Sequence, residues 1–311
     1  MAAGRASAWA GGHHVCVRAL PDIRLQHVLE LADGRCVEWE SIGEGDPLIW
    51  IEGGPGFWSH LGRPDVALLA DRFRCHLVNA PGCGRTSPPD PPTAYDLASH
   101  VRFFDEVRAA LGFDAVTLMG HSWGGLVAVA SAIANPDRVR RLIVVDGYAG
   151  EASVDPAEAD AEREAAFDRI RDRPWFDEAV AAVPETMPTE AAEIEHFHPA
   201  WPLYFADPES EAARHHVGRL RREVRWNLDV LRAWEPEPPI DLRPDLGRVA
   251  CPTLVVVGEH DYVCGPTWNR PIAEGIAGAR LAIIPGVGHM PQYEAPDEFR
   301  RIVDEWLVET S

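Results

Sequence analysis

The hexapeptide Gly120-His121-Ser122-Trp123-Gly124-Gly125 limits what this chain can fold into more than any other feature. It follows the apolar run Val116 to Met119 and opens a stretch, Gly124 to Ala134, with helical periodicity. A G-x-S-x-G between a buried strand and a helix is a tight strand-to-helix turn. The flanking glycines tolerate the sharp bend, and the serine between them is pushed out at the strand's end. The helix behind it points its positive N-terminal end at the same place, where an oxyanion could form.

The rest of the chain suits that turn. Strands are expected at Arg24 to Leu31, Cys36 to Ser41, Pro47 to Glu52, Arg74 to Asn79, Ala115 to Met119, Val139 to Asp146, Thr253 to Gly258 and Arg280 to Ile284. Several are nearly continuous apolar runs, as strands covered on both faces require. Helical periodicity marks Tyr95 to Leu111, Gly124 to Ala134, Asn269 to Ile276 and Pro296 to Val308. This alternation predicts an α/β chain with a mostly parallel sheet flanked by helices. It lapses between Gly150 and Asp245, where Ala, Glu, Arg and Pro dominate and helices are expected near Pro156 to Asp172, Glu190 to His196 and Ser210 to Ala233. The expected organisation is a flexible tail over residues 1–21, a core from 22–149 and 246–311, and a helical cap at 150–245. Such a cap sits over the C-terminal edge of the strands, where α/β ligand sites form.

Charge and composition exclude whole chemistries. All 29 basic residues are arginine, against 49 acids, for a net charge of −20. Without lysine there is no P-loop, no kinase site, no pyridoxal Schiff base and no Ser-Lys dyad. The acidic balance argues against nucleic acid and anionic membrane as partners. The stretch from Gly150 to Asp245 holds 23 acids against 11 arginines, so 12 of the 20 excess negative charges fall in the cap. An acidic cap suits cationic or amine-bearing small molecules or short peptides. Six scattered cysteines (Cys16, Cys36, Cys75, Cys83, Cys251, Cys264) form no C-x-x-C pair and read as reduced thiols, not a metal or disulfide framework. The first twenty residues have no continuous apolar core, and no run approaches the roughly 20 apolar residues of a membrane span. A cytoplasmic protein is expected; its oligomeric state is left open.

Ser122 needs a base, and the base needs an acid to orient it. In the chain order Ser, acid, His, the base is His289, in Gly286-Val287-Gly288-His289-Met290-Pro291 after the last expected strand. Asp261, in Gly258-Glu259-His260-Asp261, is the expected acid, with Glu259 and Asp146 as competitors. His260 reads as a surface turn residue. The loop Glu52-Gly53-Gly54-Pro55-Gly56 after an early strand can supply the second oxyanion donor, so the amides of Gly54 and Trp123 are the candidates. The turn Asn79-Ala80-Pro81-Gly82-Cys83-Gly84-Arg85 lacks the lysine of a phosphate loop, and Cys83 reads as a packed thiol.

Together these segments resemble the α/β-hydrolase superfamily and, more narrowly, the proline iminopeptidase family of serine exopeptidases, from about Leu25 to Leu307. That family's H-G-G-P-G loop is matched by Glu52 to Gly56 with Glu for His, and its D-x-x-G-x-G-R-S turn by Asn79 to Thr86 with Asn for Asp and Thr for Ser. Its G-x-S-[WY]-G-[GS] turn is met in full, and its G-E-x-D and G-H segments fall at Asp261 and His289. The resemblance implies an α/β-hydrolase fold with a helical cap and no cofactor or metal. It implies release of an N-terminal residue, often proline, with cap carboxylates binding the substrate's α-ammonium.

Glu223 stands at about the right place for that role, although Arg222 and Arg225 could equally pair it on a solvated face. Glu193 and Glu195 are further candidates. Trp175, Trp201, Trp226 and Trp234 could line a pocket or simply pack helices. Glu52 puts a carboxylate beside the oxyanion loop, where it could bind a cationic group or hinder charge development. The expected activity is therefore that of a serine hydrolase, with an aminopeptidase first. The alternatives are a carboxylesterase, lactonase or C-C bond hydrolase, or a non-catalytic receptor on the same scaffold. Epoxide hydrolase and dehalogenase chemistry is disfavoured, because those enzymes carry Asp where Ser122 stands.

Overall fold

The computed structural model describes residues 27–92, 94–183, 197–234 and 238–310. The expected tail, Cys16, the helical stretch Glu190 to His196 and the acids Glu193 and Glu195 lie outside the described residues. The strands are β1 (His27–Glu30), β2 (Cys36–Ile42), β3 (Asp46–Ile51), β4 (Phe73–Val78), β5 (Val116–His121), β6 (Val139–Val145), β7 (Thr253–Gly258) and β8 (Arg280–Ile284). They form one sheet in the order β1-β2-β4-β3-β5-β6-β7-β8. Strand β2 runs antiparallel to β1 and β4, and every other pairing is parallel.

Burial explains that order. Strands β5 and β7 are buried at all six positions, whereas the edge strand β1 is largely exposed. Apolar runs covered on both faces take the centre. The α-helices in the core are α1 (Arg63–Ala67), α2 (Leu97–Ala110) and α3 (Trp123–Ala134), followed after the insertion by α8 (Pro266–Gly275), α9 (Pro291–Glu294) and α10 (Pro296–Glu309). Phe103, Phe104 and Val107 of α2, Leu126 and Val127 of α3 and Ile272 of α8 pack with Ile49, Val144 and Val255 in one core. A second core joins Leu48, Met119 and Val256 to Val66 of α1 and Phe299, Val303 and Trp306 of α10. The register Ile51↔Gly120 and His121↔Val145, with Val145↔Val256, aligns the C-terminal ends of β3, β5, β6 and β7 along one edge.

Between β6 and β7 lie α4 (Pro156–Asp168), α5 (Phe176–Ala181), α6 (Glu211–Glu223) and α7 (Leu228–Ala233). Helices α4, α5 and α6 share an apolar cluster that includes Phe167, Phe176, Phe197, Trp201 and Leu220. The single helix expected from Ser210 to Ala233 is in fact two. The break at Val224 to Asn227 lets Trp226 form a β-bridge with Phe57, and Asn227 N donates to Gly56 O at 2.9 Å. These bonds to the core replace the helical bonds lost there. Among the described residues no helix is long and apolar enough to cross a membrane.

Candidate active site

Ser122 stands between β5 and α3 with φ 54° and ψ −124°, a backbone conformation that side-chain-bearing residues rarely adopt. Its amide donates to Val145 O at 2.9 Å, and its carbonyl accepts from Gly125 N at 2.8 Å. The flanking glycines are obligatory. A Cβ on Gly120 would lie 2.1 Å from Gly124 O, and one on Gly124 would lie 2.1 Å from Ile51 O. The turn therefore packs against the end of β3, and a Cβ on Gly53 would come within 3.5 Å of Ser122 Cβ.

His289 and Asp261 meet as expected. Nδ1 of His289 and Oδ2 of Asp261 are 2.7 Å apart, and both residues are buried. Asp261 Oδ1 accepts from Val263 N at 2.7 Å, which fixes the carboxylate. The histidine loop is held from the cap: His289 N donates to Tyr204 O at 2.8 Å, and Glu294 accepts from both Gly288 N and Ala206 N. Of the competitors, Glu259 is half exposed and accepts from Gly286 N. Asp146 is fully buried next to Asp261, and burial followed by the Asp261 charge pushes its carboxyl well above the usual range. His121 donates from Nε2 to His289 O at 2.9 Å, and burial followed by the His289 charge lowers it to about 3, so it stays neutral.

Gly54 and Ser122 line the same two cavities, and Trp123 lines the second. The Gly53 amide is not available, because it donates to Glu52 Oε1 at 3.0 Å. The Asn79 to Thr86 turn braces this loop. Asn79 Oδ1 accepts from Ser59 N at 2.8 Å, its Nδ2 donates to Glu38 Oε2, and Glu38 also accepts from Arg85 N and Nε. Cys83 is buried inside the turn, and burial pushes its thiol up. The loop is also tied to the cap, with Phe57 stacked on Trp226 at 4.8 Å.

The first cavity, of about 250 Å³, runs from Ser122 and His289 to Glu52 and Asp65 at a polar end, under Phe197, Trp201 and Trp226. Glu52 Oε2 accepts from Trp50 Nε1, and desolvation, reinforced by the Asp65 charge, raises its carboxyl to about 8. Asp65 is buried and raised too, chiefly by desolvation, although Tyr293 OH and Gln292 Nε2 donate to it at 2.7 and 2.5 Å. Gln292 Oε1 and His216 Nδ1 beside them have no hydrogen-bond partner among the described residues.

Glu223 corrects one expectation. Its carboxylate pairs with Arg219 Nε at 3.0 Å on α6 and does not line the cavity. Trp226 and Trp201 line the first cavity and Trp234 the second, whereas Trp175 packs against the cap cluster. Asp65, Gln292 and His216 went unnoticed in the sequence because none sits in a motif. Their only signal is position, since Gln292 follows His289 by three residues.

Among the described residues, His121, Asp146 and His289 offer potential metal-ligand atoms within 4.8 Å of one another. Nδ1 of His289 and Nε2 of His121 are already engaged by Asp261 and the His289 carbonyl, so a metal would have to break the Asp261 pair or displace that carbonyl to use them. A serine on a strained strand-to-helix turn, a buried His-Asp pair and a glycine loop thus stand together at one sheet edge.

The chain belongs to the alpha/beta hydrolase fold family, which it matches over residues 46–296. It is 27% identical to a 2-hydroxy-6-oxononadienedioate/2-hydroxy-6-oxononatrienedioate hydrolase of Dechloromonas aromatica, over 88% of this chain and 90% of the other. It is 26% identical to haloalkane dehalogenase 2 of Mycobacterium tuberculosis (85% and 88% covered) and 25% identical to a proline iminopeptidase of Heyndrickxia coagulans (87% and 93%). These relatives carry three different activities, so likeness to them does not fix the substrate.

Proposed function

We propose that the protein is a serine hydrolase that cleaves an amide or ester through an acyl-enzyme, acting as an aminopeptidase of the proline iminopeptidase type. The observation that carries this reading is the buried 2.7 Å His289–Asp261 hydrogen bond facing the same cavity as Ser122. Asp261 holds the imidazole with its proton on Nδ1, which leaves the Nε2 lone pair to take the Ser122 proton as Oγ attacks the carbonyl. The oxyanion is received by the Gly54 and Trp123 amides. His289 then gives the proton to the leaving group, and water repeats the sequence to free the acyl group.

The substrate follows from the polar end of the cavity. Arg219 is the cation near both Glu52 and Asp65, and it is already paired with Glu223, so ionising both acids at low cost calls for a further cation. A substrate ammonium supplies that cation, and Gln292 Oε1 offers it a further acceptor. Recognition from the core by Glu52 takes the place that Glu223 would have had in the cap. Trp226 closes the apolar side of the chamber.

A second reading is an esterase, lactonase or C-C bond hydrolase acting on a small metabolite, supported by likeness to the Dechloromonas hydrolase. The name of that relative's substrate describes a dicarboxylate, which would meet two acids here and no arginine among the described lining residues. Dehalogenase chemistry through a carboxylate nucleophile is not supported with Ser122 at the turn, and a non-catalytic receptor role leaves the buried His-Asp pair without a use. Turnover of Pro-p-nitroanilide beside p-nitrophenyl acetate and butyrate decides between the main readings. The peptidase reading expects anilide turnover with a KM raised by Glu52→Gln. Rapid ester turnover with none of the anilide sinks it and leaves the esterase.

A further inference from the structure

The steps above give no role to Asp146, although none of its surface is exposed and it stands at the end of β6 with φ 44°. Its Oδ1 accepts from Gly258 N at 2.8 Å, and its Oδ2 has no donor among the described residues. The Asp146 and Asp261 side chains are within hydrogen-bonding reach of each other, and an Asp146 oxygen lies within 4.8 Å of a ring nitrogen of His289. The titratable groups around it are His121 from β5, Asp261 and Cys264 from the segment after β7, and His289 and Glu294 from the segment after β8. His121 is neutral, burial pushes the Cys264 thiol up, and burial raises Glu294 to about 7. No arginine figures among the principal influences on Asp146. Two adjacent carboxylate charges in a buried site repel strongly, and an oxygen without a donor beside a carboxylate is satisfied by one proton.

We propose that Asp146 is a positioning residue for the reaction: its Oδ2 holds a proton at neutral pH and donates it to the Asp261 carboxylate, so that the two acids share one negative charge behind His289. The inference rests on the catalytic reading of Ser122, His289 and Asp261. Asp261 is then held from three directions, by Val263 N, His289 Nδ1 and Asp146 Oδ2, and its orientation is passed on to the imidazole. An ionised Asp146 would add a second negative charge beside the ring, favour imidazolium in the resting enzyme and take the base out of action.

Two variants separate these states. Asp146→Gly suits the positive φ and removes the donor. Asp146→Asn also tolerates that φ and keeps a donor that never ionises. The expected result is that Asp146→Gly lowers kcat about tenfold or more with KM within about twofold, and that Asp146→Asn restores most of it. The acid limb of the kcat/KM profile should stay in place in Asp146→Asn. A limb displaced to lower pH by about a unit or more, with no rescue, would mean that Asp146 is ionised and overturns the proposal. Infrared difference spectra of wild type against Asp146→Asn at pH 7 remain decisive if the glycine variant does not fold. A carboxylic-acid C=O band lost in the variant supports the shared proton, and its absence from wild type refutes it. Full turnover in His289→Ala would instead bring down the catalytic reading itself. Loss of turnover there beside a displaced limb in Asp146→Asn brings down only the proposal.

Discussion

At Glu52 a carboxylate ends β3 beside the Trp50 indole and the Gly53 amide, and the surrounding protein desolvates it enough to raise it to about 8. Below pH 4.5 it is protonated in both folded and unfolded chains. Between 4.5 and about 8 the folded chain keeps a proton that the unfolded chain releases, so stability falls as pH rises through that window. Glutamine cannot ionise, so Glu52→Gln should raise Tm relative to wild type more at pH 9 than at pH 5, as read by thermal melts at both. An equal difference at the two pH values would contradict the raised carboxyl. Ser122, Asp261 and His289 were legible because each lies in a short motif directly after a strand. Asp65 was not: an aspartate in Arg63-Pro64-Asp65 reads as the first turn of a surface helix, and only the fold of Gln292 and Tyr293 over it makes it a buried acid. Glu223 misled for the converse reason, since its partner Arg219 sits one helical turn away and takes it up locally.

At the scale of elements, all eight expected strands form where residues are described, Arg24 to Gln26 of the first lying outside them, with ends shifted by a residue or so in most cases, because long apolar runs between turn residues leave few alternatives. Helices were harder to read in the insertion. Val224 to Asn227 carry no proline or glycine to mark a break, and the helix ends there because the backbone pairs with Gly56 and Phe57 instead. Helix α6 is then pinned to the core by Arg219, a buried residue that donates to Leu61 O and, at 3.1 Å, to Tyr293 OH. Arg219→Ala leaves both acceptors short of a donor and removes a cation near Asp65. It should cost about 3 kcal/mol in urea unfolding. A midpoint indistinguishable from wild type would mean that α6 is held by its apolar face alone.

Across the whole molecule, the sheet brings the ends of β3, β5, β6 and β7 to one edge, and the insertion between β6 and β7 roofs the cavity that opens there. The two parts are joined at the candidate site. Tyr204 of the insertion holds the His289 amide, Glu294 bridges Gly288 to Ala206, and Trp226 stacks on Phe57 beside the Glu52 to Gly56 loop. The acidic surplus of the insertion and the carboxylates of the cavity share a sign, which supports the proposal of a positively charged substrate. All of this depends on Ser122 as the nucleophile. Reaction with a fluorophosphonate, followed by intact-mass and peptide mass spectrometry, tests it most directly. The account predicts one adduct per chain, mapped to Ser122 and absent from a folded Ser122→Ala variant; an adduct that persists in that variant, or maps to another residue of the wild type, would contradict it.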